Sequence, residues 1–240
     1  MWQRLALDRH RRSAYYGVAF TALGVLGACG IHIPPLGPAD LPPIERRVAE
    51  EWVRPYLPAG PVRYDLRWSY TTQQGTAKGR AAVRFVPPDS VRFDYRAPFG
   101  RSGAAVVVGD DVVWQRPEEE SEGFIQVAPL FWAALGIPRM PSDDVTVTGM
   151  VDGETRLWRY AGVTDTLTYR ARAGLPGASL QAQMRRAGRV VGAVEVAFAD
   201  TVLQPASASM IFPGSASTVE FTVVAIEPIT AVDSTIWKAP

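Results

Sequence analysis

Beyond Gly60 the chain alternates with a period of two. In Tyr64-Asp65-Leu66-Arg67-Trp68-Ser69-Tyr70 each even position is aromatic or aliphatic and each odd one polar, and Val91-Arg92-Phe93-Asp94-Tyr95-Arg96 repeats the pattern. Such a period sends one set of side chains to a covered face and the other to water, which suits a half-buried strand and no helix. Further strands are predicted at 81–86, 104–108, 112–115, 123–126, 155–160, 166–172, 179–185, 190–199 and 218–227. Turn formers separate them, among them Gly109-Asp110-Asp111, Asp152-Gly153 and Ala187-Gly188. The short spacings favour antiparallel neighbours over parallel crossovers.

Only two segments read as helices. Ile44, Val48 and Trp52 recur at four-residue spacing beside Ala49 and Val53, with Glu45, Arg46, Arg47, Glu50 and Glu51 opposite and Pro55 as the stop. A second short helix is predicted at 128–135, halted by Gly136 and Pro138. Many strands and few helices imply a mainly β fold, a curled antiparallel sheet forming an incomplete, half-open β-barrel capped by short α-helices. Its inner face would be lined by Leu66, Trp68, Phe85, Phe93, Tyr95, Val106, Trp132 and Trp158. Aromatic lining of this kind is either ordinary core or the wall of a hydrophobic cavity, since a curved sheet encloses more volume than side chains readily fill.

The N-terminal region divides differently. Arg11 and Arg12 precede an apolar stretch from Ala14 to Leu26 and then Leu26-Gly27-Ala28-Cys29, the layout of a lipoprotein signal peptide with small residues before an acylated cysteine. The stretch is short of the ~20 apolar residues of a spanning helix. The expected organisation is a signal peptide over 1–28, a lipidated N-terminus and proline-rich tether over 29–43, and a β domain over 44–240. Pro34, Pro35, Pro38, Pro42 and Pro43 make the tether an extended, semi-rigid spacer in this reading. Gly30 rather than an acidic residue follows Cys29, which favours an outer-membrane lipoprotein facing the periplasm, anchored by its lipid.

Composition removes several functions. A formal net charge of +1, close to neutral without the first 28 residues, supplies no cationic excess for nucleic acid. Cys29 is the only cysteine, and once His10 leaves with the signal, His32 in the tether is the only histidine. Disulfides, a cysteine nucleophile and a histidine-based triad or metal site therefore lack their parts. The acidic neighbours Asp110/Asp111, Asp143/Asp144 and Glu118 to Glu122 sit in turn and loop sequence, and Ser102 in Gly100-Arg101-Ser102-Gly103 is no nucleophile elbow. The chain reads as no enzyme and needs no cofactor.

Ala97-Pro98-Phe99-Gly100 joins two strands, so Phe99 stands at a hairpin tip, either folded back on the core or inserted in a membrane or partner. This turn carries a resemblance. The run Pro88-Asp89-Ser90-Val91-Arg92-Phe93, Ala97-Pro98-Phe99-Gly100, Ala104-Ala105-Val106-Val107-Val108 and Asp110-Asp111-Val112-Val113-Trp114 resembles the central part of the LolA/LolB lipoprotein carrier superfamily. Leu135-Gly136-Ile137-Pro138-Arg139-Met140-Pro141, with Cys29, looks more like the lipid-anchored LolB side. The resemblance implies a cavity for lipid or lipoprotein acyl chains, a membrane-contacting loop at Pro98, Phe99 and Gly100, and a soluble periplasmic carrier as a potential partner. A structural or assembly lipoprotein of the envelope with the same fold is the alternative.

Overall fold

The computed structural model describes residues 31–109, 111–117, 127–230 and 237. Twelve antiparallel strands form one curled, open sheet in the order β5-β4-β3-β2-β1-β12-β11-β10-β9-β8-β7-β6. The strands are β1 (Val62–Thr72), β2 (Gly75–Val86), β3 (Ser90–Arg96), β4 (Ser102–Val108), β5 (Asp111–Arg116) and β6 (Thr146–Asp152). Then follow β7 (Thr155–Ala161), β8 (Asp165–Arg172), β9 (Ser179–Arg186), β10 (Arg189–Phe198), β11 (Pro205–Phe212) and β12 (Ser217–Pro228). Each pairs with its chain neighbour except at two places: β12 returns to pair with β1, while β5 and β6 end up as opposite edges.

Each alternating segment on described residues became a strand, with β1 burying Tyr64, Leu66, Trp68 and Tyr70 on one face. The expected strand at 123–126 lies outside the described residues. Two strands were not foreseen. In β6 Gly149 interrupts the alternation, and β11 begins at Pro205 and is rich in Ala and Ser.

Helix α1 (Arg46–Val53) buries Ala49, Trp52 and Val53 and passes into a 3-10 turn over Arg54–Tyr56 that contains Pro55. Helix α2 (Ala128–Ala134) ends where Gly136 adopts φ +76°. There the Gly136 amide donates to the Ala133 carbonyl at 2.8 Å and the Ile137 amide to Trp132 at 3.1 Å, a Schellman closure that needs the left-handed residue. Among the described residues no helix is long and apolar enough to cross a membrane.

The curl follows from what α2 touches. Phe131 meets Phe93 of β3 and Phe221 of β12, Trp132 meets Phe85 of β2, and Leu130 sits over Gly192 of β10. From β3 to β10 are five strand intervals, about 24 Å in a flat sheet, whereas a helix with its side chains is about 10–12 Å across. The sheet must wrap α2 for these contacts to coexist. Register shifts at Asp65/Leu66, Val106/Val107, Val190/Gly192 and Ala197/Phe198 supply local bends.

Candidate functional site

The concave face is the only extended apolar surface the topology encloses among the described residues, and α1 and α2 sit against it. On its β1–β4 side Trp68 packs edge-on to Tyr95 at 6.4 Å, and Tyr95 stacks on Phe93 at 6.0 Å. Gly79 makes that possible: a Cβ there would lie 2.1 Å from the Arg96 carbonyl and 2.4 Å from the Trp68 ring. On the β7–β10 side Trp158 stacks on Tyr169 at 5.2 Å and meets Trp52 of α1 edge-on at 6.0 Å, while Tyr56 leans on Phe198 at 5.7 Å. Helix α2 lies between the two halves.

Seven of the eight residues expected to line this face do so: Leu66, Trp68, Phe85, Phe93, Trp132 and Trp158 are buried in one cluster and Tyr95 is partly buried against it. Val106 does not. It stands opposite Arg92, not Phe93, so its side chain belongs to the convex face, and Val107 opposite Val91 is the inward residue. The continuous Ala104 to Val108 run gives no alternation from which to choose a face. Sequence reasoning also missed Phe131, Tyr169 and Phe221, whose contacts across α2 depend on the order of the strands.

Polar atoms within this interior are few: Tyr56 Oη and Trp132 Nε1 are buried with no hydrogen-bond partner among the described residues, and Trp158 Nε1 and Tyr160 Oη are buried beside each other, the indole lowering the cost of ionising the phenol. Buried polar atoms in native proteins rarely stay unpaired. Burial pushes the Tyr56 hydroxyl up to about 12, with Arg156 pulling slightly the other way. Tyr64 and Tyr160 are held higher still, again through burial. Tyr169 accepts the Arg139 amide at 3.0 Å, and the Arg139 guanidinium covers the Trp132 ring at 5.1 Å.

The residues expected to form a membrane-contacting loop lie at the end of the β3–β4 hairpin. Pro98–Gly100 form a 3-10 turn closed by the Ala97 amide on the Arg101 carbonyl at 2.8 Å. Pro98 and Gly100 are exposed, and a Cβ on Gly100 would meet nothing within 4 Å. The side chain of Phe99, and all of Cys29, lie outside the described part of the structure.

The tether departs from expectation. Instead of an open spacer, residues 34–43 are strapped across the convex side. Gln183 donates to the Pro34 carbonyl at 2.8 Å and accepts the Leu36 amide at 3.3 Å, while Arg159 donates to the carbonyls of Ala39 and Pro38 at 2.6 and 2.8 Å. Arg159, Thr168 and Gln183 stand directly opposite one another on β7, β8 and β9, so they form a cross-strand polar rung under the strap. At the edge, Gly149 donates to the Pro42 carbonyl and Ile44 to that of Val147, which pairs the strap with β6 and covers an otherwise open strand. Proline removes donors but leaves carbonyls, and Arg159 and Gln183 bind those carbonyls.

No family model matches the sequence, and no curated protein is similar to it. Among solved structures, a LolA superfamily protein from Nitrosomonas europaea superposes with a TM-score of 0.56 at 10% identity, covering 80% of this chain and 97% of that one. A putative outer membrane lipoprotein-sorting protein domain from Vibrio parahaemolyticus overlaps at TM-score 0.46 and 8% identity, over 80% of this chain and 95% of that one. A DUF1329 family protein from Desulfovibrio piger overlaps at TM-score 0.46 and 11% identity, over 80% and 94%. The first of these likenesses is one of architecture: this chain has the LolA-superfamily fold.

Proposed function

We propose that the domain binds acyl chains of lipids or lipoproteins between the concave face and α2, and that it works in lipid or lipoprotein transfer as an outer-membrane lipoprotein held by acylated Cys29. The observation that carries the reading is an otherwise apolar interior holding buried polar atoms, of which Tyr56 Oη and Trp132 Nε1 have no hydrogen-bond partner among the described residues. An acyl chain satisfies the apolar walls, and the ester or amide carbonyl at its head accepts from a tryptophan N–H or tyrosine O–H. The fold shared with a LolA superfamily protein supports the same reading, and the sequence around Cys29 is what speaks for the lipid-anchored, LolB-like side. Pro98, Phe99 and Gly100 then touch the membrane during transfer, and a soluble periplasmic carrier is the fitting donor.

In this reading α2 is the gate. Phe131 and Trp132 occupy the concave interior, so an entering chain displaces them or slides beside them. That same occupancy favours a second reading, a structural envelope lipoprotein with a filled core. The test loads the domain with a fluorescent acylated peptide and mixes it with vesicles. Transfer to the vesicles, faster than spontaneous release of the peptide, is expected; no loading at all would leave the structural reading. Separately, a fatty-acid analogue should label wild type and spare Cys29→Ser, and equal labelling would remove the anchor.

A further inference from the structure

The convex face carries two rows of arginines that the register brings together, and the two are treated differently. Arg63, Arg84 and Arg92 stand opposite one another on β1, β2 and β3. Their charge is met: Arg63 pairs with Asp65 at 2.8 Å, and Asp94 takes both Arg84 at 2.7 Å and Arg92 at 2.9 Å. Two rungs closer to the Pro98–Gly100 turn, Arg67, Arg80 and Arg96 again stand directly opposite one another. These three are exposed and have no carboxylate partner among the described residues, and Lys78 and Arg101 beside them are likewise exposed and unpaired. The acids nearest this row are Asp65 and Asp94, one rung away and paired with Arg63, Arg84 and Arg92, and Glu220 beyond Ser69 accepts from its hydroxyl at 2.9 Å.

Like charges directly opposite on neighbouring strands, about 5 Å apart, repel and destabilise the pairing. A sheet carrying that repulsion without internal compensation is complementary to an anionic surface. The N-terminal strap locates that surface. Its rung Arg159–Thr168–Gln183 continues in register through Ala193, Ile211 and Thr218 to Thr71 on β1. Thr71 lies four strand intervals from Gln183, about 19 Å in a flat sheet, and four residues along β1 from Arg67, about 13 Å. Traced backwards the strap crosses from β7 to β9, so its Pro34 end is the one nearer β10. An anchor at Cys29, as proposed above, would attach the chain on this side of the molecule.

We propose that Arg67, Arg80 and Arg96, with Lys78 and Arg101, dock the domain on the anionic headgroups of a phospholipid bilayer and bring the Pro98–Gly100 turn against it. The proposal rests on the reading that the domain works at a membrane, yet it does not require acyl-chain binding. The chain from Ile31 onward contains every element described, so it serves for the test without the anchor. It is sedimented with vesicles of phosphatidylcholine alone and of phosphatidylcholine with phosphatidylglycerol. Binding is expected only with the anionic lipid and is expected to weaken steeply as salt rises. Replacing all three arginines with glutamine should weaken it by about a hundredfold. Arg170→Gln with Arg189→Gln, exposed arginines away from the row, should leave it unchanged, and thermal unfolding should show all variants folded. Equal binding by the triple variant, binding indifferent to lipid charge, or no binding to either vesicle overturns the proposal. Acyl-chain loading measured on the same variants separates the claims: docking without loading removes the transfer reading and keeps this one, and loading without docking does the reverse.

Discussion

Replacing Phe131 by alanine tests how far the sheet depends on α2. The side chain is buried and meets Phe93 at 5.1 Å and Phe221 at 6.3 Å, both edge-on. Those partners lie on β3 and β12, three intervals apart in the sheet. One ring therefore ties together strands that would be about 14 Å apart if the sheet were flat. Truncating a buried phenylalanine costs about 3–5 kcal/mol, of which each aromatic pair supplies about 0.5–1.5. For a domain of this size the melting temperature should fall by about 6–20 °C. Urea unfolding of the chain from Ile31, followed by tryptophan fluorescence and circular dichroism, should show a lower midpoint at unchanged slope. The space left is apolar, so acyl-chain affinity should rise. A loss below about 1 kcal/mol would refute the reasoning, because α2 would then be resting on the sheet and not holding its curl.

Other outcomes are equally specific. Gly79→Ala places a Cβ against the Arg96 carbonyl and the Trp68 ring and should cost about 1–3 kcal/mol, whereas Gly60→Ala, with open space around it, should be neutral or slightly stabilising by denaturant titration. Gln183→Ala should abolish hydrogen-exchange protection of the Leu36 amide that its side chain accepts, with the sheet amides unaffected; a Leu36 amide already unprotected in the wild type would dissolve the strap. At alkaline pH, Tyr56, Tyr64 and Tyr160 keep their protons in the fold above the ~10 of an unfolded chain. Their contribution is complete below pH ~10 and is lost above it, as the unfolded tyrosines ionise and those of the fold follow from about 12 upward. Melting temperature should thus hold to about pH 10 and then fall, with part of the tyrosinate absorbance appearing only on unfolding; full ionisation near pH 10 in a folded domain would contradict this burial.

Alternation made most of the sheet legible, because half-burial is written into each strand separately. The failures have local causes. Gly149 breaks the period in β6, Pro205 and small residues mute it in β11, and the uniform apolar run of β4 leaves Val106 free to be assigned to either face. The lining of the concave face was legible for the same reason the strands were. Its closure was not, since the meeting of Phe131 with Phe93 and Phe221 depends on β12 returning to β1. The strap was hidden for another reason: proline content announces extended backbone, but a side-chain rung such as Arg159, Thr168 and Gln183, which decides whether that backbone is free, exists only once strand register is set.

The central claim is that acyl chains enter the concave interior. A fatty acyl probe carrying a diazirine at the chain terminus, bound to the domain and photolysed, reports its position directly through the peptides it modifies. The account predicts adducts on the inward residues of β1 to β3 and β7 and on α2, among them Leu66, Phe93, Phe131 and Trp158, reduced by unlabelled competitor. Adducts confined to the convex face, or none above the level of a denatured control, would contradict it.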